Sequence, residues 1–178
     1  MARGKKAGVI RHGWTPPAAG LYKLNVDACF NIDSGTGSSG VVIRDDKGTF
    51  LAALCSGIPF ADDAGSAEAR GLRDGLLLAN ELGMQKLVVE SDCMEVVDTM
   101  LEGGNSLGLA AAIYEECAFL ANNFSCIMFQ FCPREANMAA DTLARYAEPT
   151  KTIKWVDEPP GFLIDVLAND VTLFTHEI

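Results

Sequence analysis

The hydrophobic period of this chain changes from two residues to about 3.6 near residue 59, and this change limits the folds open to it. Between residues 21 and 58, apolar and polar side chains alternate in three runs, as they do in β-strands. The first run is "KLNVDACF", residues 23–30, and the next two flank Asp45-Asp46-Lys47-Gly48, which is typical of a hairpin turn. The chain is therefore predicted to begin with three antiparallel strands.

Beyond residue 65 the pattern becomes helical. Ser66 is a suitable N-cap, apolar residues then recur at helical spacing, and Gly83 is expected to end the helix. The pattern of residues 86–91 predicts a short buried strand. Further elements are predicted as helices at 92–101 and 107–123, a strand at 125–132 and a last helix at 134–147. The order β-β-β-α-β-α-α-β-α predicts an α/β fold with a mixed five-stranded sheet, three antiparallel strands followed by parallel ones, and helices on both faces.

Composition narrows the environment of the chain. No run approaches the roughly 18 apolar residues of a membrane span, so no membrane partner is expected. The six cysteines are scattered without a C-x-x-C pair, which favours free thiols and a reducing intracellular compartment, the cytoplasm or the nucleus. The net charge is −10, so any binding of nucleic acid would depend on local positive charge near the site.

The two ends of the chain differ from its centre. Residues 1–13 are basic and lack the apolar stretch of a secretory signal, and they are predicted to be a flexible leader. Residues 14–148 are predicted to form one domain. Residues 149–178 are interrupted by Pro159-Pro160-Gly161 and contain one short apolar element, so we expect a tail that either docks on the domain or is partly disordered. The oligomeric state stays open.

Asp27 is unusual because it lies in the middle of an apolar strand. It alternates away from Val26 and Ala28, so it could simply face solvent. However, aspartate is disfavoured inside strands, and a strand covered on both faces would have to compensate its charge.

Three other carboxylates have both a structural and a functional interpretation. Glu68 in the first turn of its helix would complement the helix dipole. Asp92, with Glu95, could form a capping box at a strand-to-helix turn, although α/β folds also place their sites at such turns. Asp141 could form an i,i+4 ion pair with Arg145. Each alternative stays open from the residues alone.

The order and context of these four carboxylates resemble those of the ribonuclease H-like family, in particular the plant domains related to retroelement reverse transcriptases. The resemblance runs from about Trp14 to Ala147, and the tail motif "W…PPGF" is similar to the same group. It rests on these stretches: "KLNVDACF", "GTGSSGVVIRDDKGTFLAA", "SAEARGLRDGLLLANELG", "KLVVESDCMEVV" and "PREANMAADTLAR".

The resemblance implies a metal-dependent nuclease that cleaves the RNA strand of RNA–DNA hybrids. It implies that Asp27, Glu68, Asp92 and Asp141 are the catalytic residues and hold two Mg²⁺ ions, with Mn²⁺ as a substitute. Carboxylates are hard oxygen ligands that suit both ions. Four converging carboxylates without metal would repel one another, so at least one pKa should be raised.

The resemblance also implies substrate contacts and shows departures from the family. Candidate substrate-binding residues are Ala28, Ser39, Gly40, Arg134 and Asn137, and for the last two a structural role at the helix start is an equal alternative. Ala28 replaces a glycine that is common in the family, and Phe131-Cys132 lies where many members carry a histidine. The alternative function is therefore a catalytically weak or inactive module that binds nucleic acid, or binds a protein through its C-terminal tail.

Overall fold

The structure, a computed structural model, describes residues 13–175 and the side chains of residues 13–170. Its sheet has the strand order β5-β4-β1-β2-β3-β6. Strands β1 to β3 are antiparallel, β4 is parallel to β1 and β5 is parallel to β4, as predicted. The strands are β1 (Tyr22–Asn31), β2 (Thr36–Arg44), β3 (Phe50–Ile58), β4 (Lys86–Ser91), β5 (Cys126–Phe131) and β6 (Thr152–Val156).

The sixth strand corrects the predicted count of five. It comes from the segment predicted as a tail, and it pairs antiparallel with β3. Its five residues alternate between exposed and half-buried positions, so this short edge strand carries too little apolar pattern to be recognised. The boundary at residue 148 stays a prediction, as does the leader, which apart from Gly13 lies outside the described residues.

Helices cover both faces of the sheet, as predicted. On one face α1 packs over Leu24, Val26 and Val41, and α3 packs against α1 in the same core. On the other face α4 and the buried Leu163 pack over Val42. The helices are α1 (Ala64–Glu81), α2 (Met94–Leu101), α3 (Ala111–Ala121), α4 (Met138–Tyr146) and α5 (Ile164–Thr175), and 3-10 turns span Arg134–Ala136 and Gly161–Leu163. Within residues 13–175 no helix is long and apolar enough to cross a membrane.

Two helix starts differ from the predictions. Helix α1 begins at Ala64, and its N-cap is Asp63, whose Oδ1 accepts from the Ser66 amide at 2.7 Å. Ser66 was predicted as the cap because its hydroxyl suits that role, but the helix begins one turn earlier, and the amide of Ser66 is itself capped by Asp63. The last helix begins at Met138 instead of Arg134, since a separate 3-10 turn precedes it.

Two predicted turns are confirmed by backbone angles in the left-handed region. Gly48, in the hairpin between β2 and β3, has φ +81°, and Gly83, after α1, has φ +71°. Glycine adopts this region without the clash that a Cβ atom would cause.

Candidate active site

Asp27 lies on the face of β1 that α4 and the N-terminal segment cover. Residues Lys23, Asn25 and Asp27 alternate along this face, and Trp14 and Asn137 contact Asn25. Asp27 is therefore only 8 % exposed, so the interpretation of Asp27 as a solvent-facing residue is wrong. Its Oδ1 accepts the amide hydrogen of Ala28 at 2.9 Å, which leaves most of its charge without a partner of opposite sign.

The four candidate carboxylates line a single cleft of about 410 Å³. They arrive from four elements: Asp27 from β1, Glu68 from α1, Asp92 from the turn after β4, and Asp141 from α4. The remaining lining residues are Ala28, Cys29, Cys93, Arg134 and Arg145. The structure thus brings together residues that are 114 positions apart between Asp27 and Asp141.

The structural alternatives for Glu68 and Asp92 are wrong. Because α1 begins at Ala64, its first turn contains no acidic residue, and Glu68 lies in the second turn. The N-cap of α2 is Cys93, without a side-chain capping bond, so Asp92 does not close a capping box. Asp92 Oδ1 instead accepts from Asn137 Nδ2 at 3.2 Å.

The ion pair proposed as the alternative for Asp141 is present. Arg145 Nε lies 3.0 Å from Asp141 Oδ1 and 3.0 Å from Oδ2. The same carboxylate lines the cleft, so the ion pair with Arg145 does not exclude a position of Asp141 at the site.

The electrostatics of the cleft show charge that is not compensated. Burial, then the charge of Asp92, then that of Asp141 raise the pKa of Asp27 to about 7, against the lowering effect of the Ala28 amide. Burial, then Asp27 and Asp92, raise the pKa of Glu68 to about 8. Glu68 Oε2 is buried and has no hydrogen-bond partner among the described residues. The prediction of at least one raised pKa is confirmed.

A divalent cation fits the chemistry of this cleft. Carboxylate oxygen is the donor that Mg²⁺ and Mn²⁺ prefer. Glu68 Oε2 has no hydrogen-bond partner in the part of the chain that the structure describes, and the pKa values of Asp27 and Glu68 are raised, so a cation bound here would stabilise their charged forms. Among residues 13–175, however, no three His, Cys, Asp or Glu side chains are already grouped as a ligand set.

The five candidate substrate residues divide into two groups. Ala28 and Arg134 line the cleft. Ser39 and Asn137 are buried, at 0 % and 1 % exposure, and Gly40 lies beneath α4, where a Cβ atom would come within 2.2 Å of the Ala140 carbonyl oxygen. Gly40 therefore allows the close approach of the helix, and the structure does not place these three residues at the cleft surface.

Three lining residues were not among the sequence candidates for the site. The sequence indicates Arg145 only as the partner of Asp141, although its place one turn after a candidate ligand is also consistent with a position at the rim. Cys29 and Cys93 each follow a candidate carboxylate closely in sequence, but cysteine within apolar runs gives no functional signal. Burial raises the pKa of both thiols, so they are neutral at physiological pH.

The sequence of this chain matches one protein family and a related plant protein, and both matches agree with the fold described above. A family model described as reverse transcriptase-like matches residues 25–147, which is more than half of the chain. A protein of Arabidopsis thaliana, provisionally named a ribonuclease H protein, is 28 % identical over 135 residues. That alignment covers 76 % of this chain but 22 % of the relative, so the chain spans about a fifth of its length.

Solved structures give the same answer. The N-terminal ribonuclease H domain of a Mycobacterium tuberculosis protein has a TM-score of 0.67 and 29 % identity, over 71 % of this chain and 92 % of that one. Ribonuclease H1 of Halobacterium salinarum has a TM-score of 0.67 at 20 % identity, over 72 % and 97 %. LC11-RNase H1, in complex with an RNA/DNA hybrid, has a TM-score of 0.60 at 24 % identity, over 71 % and 95 %.

The last two likenesses show the fold alone. The family match runs from residue 25, within β1, through the end of α4, so it contains all four candidate carboxylates. The chain belongs to the reverse transcriptase-like family, and its fold is that of ribonuclease H.

Proposed function

We propose that this chain is a divalent-metal-dependent endonuclease that hydrolyses the RNA strand of RNA–DNA hybrids. The observation that carries the proposal is the convergence of Asp27, Glu68, Asp92 and Asp141 on one cleft, with raised pKa values for two of them. The likeness to the mycobacterial ribonuclease H domain supports the activity. The hybrid bound to LC11-RNase H1 supports the choice of substrate.

The four carboxylates would hold two Mg²⁺ ions, or Mn²⁺ in their place. Ions bound there would supply an activated water and stabilise the leaving 3′-oxygen of the cleaved phosphodiester. The chain's own residues supply position and charge. Asp27 is held on a strand between two neighbours, β2 and β4, which fixes its carboxylate more firmly than a loop would.

Residues at the rim would receive the nucleic acid. Arg134 and Arg145 place positive charge beside the carboxylates, where a phosphate would lie, and a guanidinium can donate two parallel hydrogen bonds to it. Ala28 has a small side chain, which leaves room for the sugar-phosphate backbone near Asp27. This local positive charge would let a phosphate approach the rim although the net charge of the chain is −10.

A second candidate function is a weak or inactive module that binds nucleic acid or protein. The observation that favours it is the two-point pairing of Arg145 with Asp141, which occupies one proposed ligand. A protein partner at the tail would meet the exposed side chains of Val156, Phe162 and Ile164. Both candidates suit a reducing intracellular location, the cytoplasm or nucleus, which the six free cysteines support.

The decisive experiment is cleavage of a labelled RNA–DNA hybrid with Mg²⁺ or Mn²⁺. Wild type is expected to cut the RNA strand and to leave double-stranded RNA and double-stranded DNA intact. Asp27→Asn and Asp92→Asn should each lower the rate by more than about 100-fold, a larger loss than removal of a residue outside the ligand set typically causes.

Metal-linked stability separates the two candidates. Millimolar Mn²⁺ should raise the melting temperature of wild type, because the ion binds only the folded site, and Asp27→Asn should remove most of that rise. A folded wild type that neither cuts hybrid at low salt nor responds to metal would refute the nuclease proposal and favour the binding module.

A further inference from the structure

We propose that Asn137 is a positioning residue that fixes Asp92 relative to Asp27, and that Asn25 and Trp14 orient its amide. This inference rests on the proposed function, in which Asp92 and Asp27 are metal ligands. Asn137 is 1 % exposed, so it acts from behind the cleft and does not touch substrate.

The amide of Asn137 joins two strands of the site. Its Nδ2 donates to the Val26 carbonyl oxygen at 2.9 Å and to Asp92 Oδ1 at 3.2 Å. Val26 immediately precedes Asp27 on β1, and Asp92 immediately follows β4. One side-chain NH₂ group therefore ties the Asp92 carboxylate to the β1 backbone beside Asp27, while the parallel pairing of β1 with β4 sets the spacing of the strands.

The orientation of this amide is determined by its neighbours. Asn137 Oδ1 accepts from Asn25 Nδ2 at 3.2 Å. If the amide were flipped, its oxygen would face the Val26 carbonyl and the Asp92 carboxylate, which are both acceptors. The NH₂ group of Asn137 can therefore point only toward Asp92.

Asn25 is in turn fixed from both of its ends. Its Oδ1 accepts from Trp14 Nε1 at 3.0 Å, and an indole nitrogen can only donate. Its Nδ2 also donates to Glu90 Oε2 at 3.2 Å, and Glu90 is paired with Lys23. The obligate donor of Trp14 thus determines the direction of every hydrogen bond as far as Asp92.

This series of bonds makes the segment before β1 part of the support of the site. Trp14 is 2 % exposed, and the guanidinium of Arg44 lies 3.8 Å from the centroid of its ring. Partners that orient metal ligands typically account for 10- to 100-fold in metal affinity. Losing the Asn137 amide should therefore weaken the site without removing any ligand.

The test measures Mn²⁺ affinity by calorimetry in wild type, Asn137→Leu, Asp92→Asn and the double variant. Leucine matches asparagine in size but has no donor. We expect Asn137→Leu to weaken Mn²⁺ binding about 10- to 100-fold in the wild-type background, but less than about twofold in the Asp92→Asn background, because the residue acts through Asp92. Thr142→Val, on the helix that Asn137 precedes and outside the network, is the matched control and should bind Mn²⁺ like wild type.

Two results would overturn the proposal. One is a folded Asn137→Leu variant whose Mn²⁺ affinity stays within about twofold of wild type; the other is an equal loss in both backgrounds. If Asn137→Leu does not fold, Trp14→Phe takes its place, since it keeps an aromatic ring but removes the donor, and it should weaken Mn²⁺ binding severalfold.

A metal-free measurement separates this proposal from the proposed function. In wild type, the side-chain NH₂ protons of Asn137 should exchange slowly with solvent in NMR spectra, and their shifts should change in Asp92→Ala. If wild type binds no Mn²⁺, the metal mechanism fails, yet this NMR result still decides whether Asn137 contacts Asp92. Fast exchange and unchanged shifts would refute the positioning role.

Discussion

The covered face of β1 contains two kinds of buried charge within five residues. At its beginning, Lys23 pairs with Glu90, and Asn25 makes hydrogen bonds through both ends of its amide. Two residues further, Asp27 faces other carboxylates, and burial, followed by the charge of Asp92, raises its pKa to about 7. The first group is satisfied by the chain itself, whereas the second is not.

The same contrast holds across the molecule. Arg44 is buried beside Asp170 of α5, with Nη1 and Oδ2 2.8 Å apart, so a charge pair fastens the tail to the sheet. Glu68 is partly buried in the cleft, and the charges that act on it, those of Asp27, Asp92 and Glu95, all have its own sign. Buried charge that is matched within the chain indicates structure, and buried charge that is not matched indicates a ligand.

The largest expected effect is on the matched side of this comparison. Asp170→Asn leaves the Arg44 guanidinium buried without its counter-charge, which should lower the free energy of unfolding by about 3–5 kcal/mol. Thermal and denaturant unfolding of the metal-free protein would measure it. Asp165→Asn, at an exposed position of the same helix, is the control and should have little effect. Equal effects of the two variants would show that the Arg44–Asp170 pair does not hold the tail.

The unmatched carboxylates should make the stability of the metal-free protein depend on pH. The pKa values of Asp27 and Glu68 in the folded protein, about 7 and about 8, lie above their ordinary values of 3.8 and 4.5. The folded state therefore binds more protons than the unfolded chain, and the stabilising contribution of these groups is present below pH 4 and is lost as pH rises through 7 and 8. Melting temperatures of metal-free protein between pH 5 and 8.5 would follow this loss.

Glu68→Gln isolates that contribution, because glutamine has a similar shape and no charge. At pH 8 the variant should melt roughly 3–6 °C above metal-free wild type, with a smaller difference at pH 5. Mg²⁺ should narrow the gap at pH 8 by stabilising wild type alone. If the difference in melting temperature between Glu68→Gln and wild type did not change with pH, the ionisation of Glu68 would not be what destabilises the metal-free protein.

These contrasts explain what the sequence could predict and what it could not. The alternation of Lys23, Asn25 and Asp27 marks one polar face of β1, but it does not reveal that Trp14 and Asn137 cover that face. The order of elements suffices for strands β1 to β5, because it depends on local pattern, and the family resemblance suffices to single out the four carboxylates. The roles of Asn137, Ser39 and Gly40 depend on contacts between distant segments, and local pattern carries no information about those.

The smallest expected effect is on Mn²⁺ affinity when Arg145 is replaced. Arg145 pairs with Asp141, which also lines the cleft, so this charge has features of both groups. Arg145 is exposed, and the pair follows the i,i+4 spacing of ordinary surface pairs, which contribute little to stability. If Asp141 is a metal ligand, the ion competes with Arg145 for it. Arg145→Gln should then strengthen Mn²⁺ binding by up to about twofold while it raises the KM for hybrid, because a phosphate contact is lost.

Lys151→Gln is the matched control for Arg145→Gln, since Lys151 forms an exposed pair with Glu148 that does not line the cleft. It should change neither Mn²⁺ affinity nor KM. Weaker Mn²⁺ binding in Arg145→Gln would mean that Arg145 holds Asp141 in the position that the ion requires. In that case the Arg145–Asp141 pair helps to build the metal site. The pair would then no longer support the inactive-module candidate.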